Sequence, residues 1–142
     1  LISSCGNSAD KNTSLSFSSD IVEITEDIDS STTWYADKVY VIKNRSETIG
    51  VYASLTIEAG TIIKFNDGSK LRVGTGGVIN ANGSEANPII FTSYKDDSHG
   101  GDVNGDDGVT LPARRDWDGI QLGNSGSYFN YCRHIVCRIL AG

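Results

Sequence analysis

Short apolar runs separated by clusters of Gly, Asn, Asp and Ser dominate this chain. They predict strands over 39–42, 49–52, 55–57, 62–65, 71–73, 78–80 and 89–93, with another near 117–122. The run Leu55-Thr-Ile-Glu-Ala-Gly-Thr-Ile-Ile-Lys-Phe65 recurs in looser form one turn later. Aligning Val39 with Ile62 and Ile89, Ile49 with Leu71, and Leu55 with Val78 gives a period of about 22 to 27 residues, the length of one solenoid coil. Three short strands per period predict an all-β parallel β-helix of about three to four coils. One such coil cannot bury its inner face alone, so each rung depends on the rungs stacked on either side.

Ahead of this array, Ile21-Val-Glu-Ile24 reads as a strand and 26–29 as an acidic link into Trp34-Tyr35. The two aromatics are expected to cover the first coil, whose open end would otherwise expose backbone groups and apolar side chains. Corners are expected at Asn66-Asp-Gly-Ser69 and Asn80-Ala-Asn-Gly83, and at Gly60, Gly74, Gly76 and Gly77, because Gly and Asn reach positive φ at least cost. A phosphate-cradling loop is excluded, since no Gly-x-x-x-x-Gly-Lys run precedes a helix. Between 89–93 and 117–122 the rhythm breaks over 94–116. That is an insertion in one coil, pushed out from one side of the solenoid where functional loops occur.

Composition narrows the partners. A net charge of −6 argues against nucleic acid, whose phosphates need clustered Lys and Arg. No run approaches the ~20 apolar residues of a membrane span, leaving a lipid anchor as the expected membrane contact. Met is absent, so the sequence is expected to be a processed product or a fragment. Ile2-Ser-Ser-Cys5 fits the end of a bacterial lipoprotein signal peptide (1–5), with Cys5 as the lipidated residue. The bland alternative is a free cysteine in a loose terminus. Polar, Ser-rich and Asn-rich residues over 6–20 then read as a flexible tether, and 21–142 as the β-helix domain.

The chemistry concentrates in the insertion, where 94–108 holds five of the chain's 18 acidic residues. Asp102-Val-Asn-Gly-Asp106 matches the first half of a calcium loop, in which alternate side chains converge oxygens on a hard cation. Its second half departs, with Asp107 at the sixth position instead of Gly and Ala113 at the twelfth instead of a bidentate Glu. A helix–loop–helix hand is thereby excluded. A looser calcium site using Asp96, Asp97, Asp102, Asn104 and Asp106 competes with a solvated acidic turn. Catalysis has thinner support. Asp96/Asp97 or Asp116/Asp118 can be drawn as acid and base on a glycosidic bond, with Arg114-Arg115 holding an acidic sugar. Neighbours on a strand, however, point to opposite faces. His99 and His134 have no Cys or His at metal-ligand spacing and read as surface or turn residues. Cys132 reads as a small apolar core residue, and a Cys132–Cys137 bridge would need a turn between them.

Taken together, the 55–65 run, Ile90-Phe-Thr-Ser93, the 96–106 insertion, Asp116-Trp-Asp-Gly-Ile120 and Ser127-Tyr-Phe-Asn-Tyr-Cys132 resemble the opening coils of bacterial right-handed parallel β-helix surface proteins. The resemblance spans roughly 30–132 and implies secreted or lipid-anchored envelope proteins without assigned catalytic residues. It also implies that further coils follow. The expected function is a non-catalytic β-helix module, lipid-anchored at the outer membrane or cell surface. Its acidic loop would serve adhesion to an extracellular glycan or surface protein. The alternatives are a truncated polysaccharide lyase or glycoside hydrolase, and a stalk with no ligand.

Overall fold

The computed structural model describes residues 20–43, 47–123 and 126–135. Cys5, Cys137 and nearly all of the expected tether lie outside the described residues. The strands are β1 (Asp20–Ile24), β2 (Thr32–Trp34), β3 (Lys38–Ile42), β4 (Thr48–Val51), β5 (Ser54–Ile57) and β6 (Ile62–Phe65). They continue with β7 (Lys70–Val73), β8 (Val78–Asn82), β9 (Ile89–Ser93), β10 (Gly119–Leu122), β11 (Tyr128–Asn130) and β12 (Cys132–His134). No helix among the described residues is long and apolar enough to cross a membrane.

Every strand pair is parallel, in three sheets ordered β1-β3-β6-β9-β12, β10-β7-β4 and β11-β8-β5-β2. Successive strands thus step from sheet to sheet, and each returns one level along. β3-β4-β5, β6-β7-β8 and β9-β10-β11 are coils of a parallel β-helix, as the sequence predicts. β1 and β2 form an earlier coil, joined to the second sheet by the single bridge Ile28↔Val51. β12 adds a further rung to the first sheet.

Inside, matched positions form ladders. Val22, Tyr40, Ile63 and Phe91 follow one another in the first sheet. Ile49, Leu71 and Ile120 do so in the second, and Trp34, Ile57, Ala81 and Phe129 in the third. Burying each large apolar side chain is worth about 1.5–3 kcal/mol, and its neighbours come from adjacent coils, so the gain exists only when coils stack. Trp34 is buried in the first coil and stacks on Tyr40 at 4.8 Å, whereas Tyr35 is half exposed.

Two registers differ from the sequence alignment by one residue. Ile62 pairs with Ile90 and not Ile89, and Leu55 with Ile79 and not Val78. At both places two apolar residues are adjacent, so the hydrophobic pattern alone does not choose which one faces inward. Two corner readings also change. Asn80 and Asn82 lie within β8. Gly60 and Gly76 have positive φ (89° and 82°), but Gly74 and Gly77 are glycine for lack of room. A Cβ on Gly77 would fall 1.8 Å from the Val51 carbonyl oxygen, and one on Gly74 would fall 2.3 Å from the Tyr52 ring that rests across Gly50 and Gly74.

The sheets differ in what covers them. In β5 and β7 burial alternates, with Leu71 and Val73 inside and Arg72 outside. In the first sheet it does not. Val39, Tyr40, Val41 and Ile42 are all buried, as are all five residues of β9. A strand buried on both faces needs a second layer. Here that layer is the insertion between β9 and β10.

Candidate functional site

The insertion is tied down at both feet. Asp116 accepts hydrogen bonds from the Ser93 hydroxyl (2.7 Å), the Ala113 backbone N–H (2.8 Å) and the Lys95 ammonium (3.2 Å), which also pairs with Asp67 at 2.9 Å. Burial alone would raise the Asp116 pKa, but these partners outweigh it and hold the carboxyl below its usual value. Trp117 then re-enters the core, stacked on Phe65 at 4.0 Å and 9°.

Between its feet the loop folds back over the first sheet. Gly100 lies against Val39 and Ile62, where a Cβ would come within 2.9 Å of Val39 Cγ2. Lys64, in β6, points outward yet is fully buried, because its ammonium donates to the carbonyls of Asp96 (2.7 Å) and Gly101 (2.5 Å). Burial lowers the Lys64 pKa, opposed by the field of Asp96, Asp97 and Asp102. The sequence reading missed this clamp. The signal was present in the consecutive apolar residues Val39 to Ile42 of β3 and Ile89 to Phe91 of β9, which call for cover on their outer face.

Of the five expected metal ligands, the fold brings together Asp97, Asp102 and Asp106, with one carboxylate oxygen from each inside 4.8 Å. Asn104 joins them by donating its amide N–H to Asp106 Oδ2 at 2.9 Å, which fixes the amide's orientation. Asp96 does different work. It is buried, accepts from Thr92 (2.6 Å) and His99 Nδ1 (2.8 Å), and takes a short bond from the Ser98 hydroxyl. Burial pushes its pKa up, but the bonds from Ser98, Thr92 and His99 prevail and hold it low.

The three clustered carboxylates are unequal. Asp102 accepts the backbone N–H groups of Asp107 (2.9 Å) and Gly105 (2.6 Å), which lower its pKa. Asp106 is lowered by the Thr110 hydroxyl and by the backbone N–H groups of Thr110, Gly108 and Val109. Asp97 is raised instead, by desolvation and by repulsion from Asp102 and Asp106. Its Oδ1 and the Asn104 Oδ1 are both shut off from solvent without a hydrogen-bond donor. Asp107, where a calcium loop has Gly, takes the left-handed backbone itself (φ 55°), which Asp tolerates better than most residues. An all-oxygen set with two unsatisfied acceptors suits a hard divalent cation better than a transition metal.

The geometry gives catalysis little. The Ser98 hydroxyl and the Asp96 carboxylate meet the same His99 nitrogen, Nδ1, whereas a nucleophile relay uses opposite nitrogens. Asp116 is fully engaged, and Asp118 is exposed with Lys70 at 3.9 Å. Arg114 and Arg115 are exposed, with no ion-pair partner among the described residues. His134 is half-buried. It sits in β12, stacked on Phe91 at 4.9 Å, with its pKa lowered by burial. Cys132 packs against the core as expected, and burial pushes its thiol up to about 11.

A family model described as a pectate-lyase-like beta helix domain matches residues 26–109, more than half of the 142-residue chain. The chain belongs to this family. No curated protein and no solved structure matches it. In this pectate-lyase-like β-helix domain the chain's own insertion packs on the outer face of the first sheet, touching Val39 of β3, Ile62 and Lys64 of β6 and Thr92 of β9.

Proposed function

We propose that this domain is a non-catalytic β-helix module of a bacterial cell envelope, lipid-anchored through Cys5, that holds calcium in its insertion loop and serves adhesion or glycan contact. One observation carries the calcium part: three carboxylates converge within 4.8 Å, and one of them, Asp97, holds an oxygen that is shut off from solvent and has no donor. Bringing like charges together and leaving buried acceptors unpaired both cost free energy, and a bound cation relieves both at once. Asp97, Asp102 and Asp106 are the carboxylate ligands, and the Asn104 carbonyl is the neutral one. Asp96 supports the loop without ligating.

Isothermal titration of the full chain with calcium tests this reading. Saturable heat that Asp97→Asn removes is the expected result, and no heat at millimolar calcium would end the claim. A second reading, a polysaccharide lyase or glycoside hydrolase, draws on the family's description. It predicts release of unsaturated or reducing sugar ends from acidic glycans, whereas the module binds without turnover.

A further inference from the structure

Beyond the aspartate cluster the insertion rises into an arch, 108–115, whose sequence is Gly-Val-Thr-Leu-Pro-Ala-Arg-Arg. Val109 and Leu111 are the most exposed large apolar side chains among the described residues, at 81% and 75%. Arg114-Arg115 is the one adjacent basic pair in the sequence, and both residues are exposed without an ion-pair partner among the described residues. The arch is held firmly at each end. Asp106 gathers the N–H groups of Gly108, Val109 and Thr110, and Asp116 takes that of Ala113. Arg115 is locked at φ 72°, an unfavourable backbone for a long side chain.

Two exposed aliphatic side chains and, within a few residues, two exposed guanidinium groups suit a surface that is apolar inside and anionic at its rim. An anionic phospholipid leaflet has that profile, because aliphatic groups enter below the headgroups while arginines meet the phosphates. The obstacle is the neighbouring Asp97, Asp102, Asp106 and Asp107, which repel such a leaflet. We infer that the arch docks Val109, Leu111, Arg114 and Arg115 onto an anionic phospholipid surface when a divalent cation occupies the aspartate cluster. This inference rests on the cation reading above and adds a gated partner to it.

Co-sedimentation of the unlipidated full chain with vesicles tests it, using phosphatidylcholine alone or mixed with phosphatidylserine, in calcium or in chelator. Binding is expected only with phosphatidylserine and calcium together, and Val109→Ser with Leu111→Ser should weaken it about tenfold or more. Arg114→Glu with Arg115→Glu should weaken it similarly, while both double variants keep the wild-type circular dichroism and calcium heat. Calcium heat without vesicle binding overturns the docking and leaves the cation site standing. Neither heat nor binding overturns both. Vesicle binding that ignores the arch variants, or that persists in chelator, overturns the inference. So does capture of an acidic polysaccharide through the arch with no affinity for vesicles.

Discussion

Replacing Lys64 by Met removes the ammonium that clamps the insertion to the solenoid while keeping most of the side chain's length. Lys64 Nζ donates to two loop carbonyls, at 2.7 and 2.5 Å, from a fully buried position. Hydrogen bonds to a charged donor contribute about 1.5–3 kcal/mol each, and their loss leaves two carbonyls under cover without a partner. Against this stands the cost of burying the ammonium, which the substitution removes and which lowers the Lys64 pKa. A net loss of about 3 kcal/mol follows, equivalent to a fall in Tm of about 6–12 °C for a domain near this size. Thermal unfolding followed by near-UV circular dichroism reads it, because Trp117, stacked on Phe65 where the insertion rejoins the core, reports loosening there. Lys70→Met is the control. Its 3.9 Å contact with Asp118 is partly exposed, and the expected effect is under about 1 kcal/mol. Equal Tm values for the two variants would refute the clamp.

Three other outcomes are expected. Gly77→Ala forces a methyl onto the Val51 carbonyl and should destabilise by about 3 kcal/mol or more in urea unfolding; a change below about 1 kcal/mol would contradict the close approach. Cys132, isolated by changing Cys5 and Cys137 to Ser, should alkylate about a hundredfold more slowly at pH 8 than a peptide thiol, since burial holds its pKa near 11; peptide-like reactivity would show that it is not packed against the core. Asp96, Asp102, Asp106 and Asp116 have folded pKa values below the unfolded ones, so their stabilisation is present above about pH 4 and lost as pH falls through the folded values. Asp97 runs the other way. Its raised pKa means that ionisation opposes folding, so without calcium Asp97→Asn should raise the urea midpoint at pH 7, with the difference shrinking as pH falls through the raised folded value and gone below about pH 4. A lower midpoint at pH 7 would sink that reasoning.

The amino-acid sequence alone determined the coil. Strand positions from β3 to β9, the parallel winding and the break after Ser93 all follow from where apolar runs and turn residues fall, and each is a local pattern repeated at one period. The acidic cluster was legible for the same reason, since its residues are close in sequence. Which carboxylates act together was not. Asp96 and Asp97 are neighbours in the chain, yet one is bound into Thr92, Ser98 and His99 and the other faces Asp102 and Asp106. The Ile62–Ile90 register, the Tyr52 ring over Gly50 and Gly74, and the burial of Lys64 beneath residues 96–101 were likewise settled only in three dimensions. Each depends on contacts between different coils or between a coil and the insertion, and a hydrophobic pattern records how buried a position is without recording what buries it.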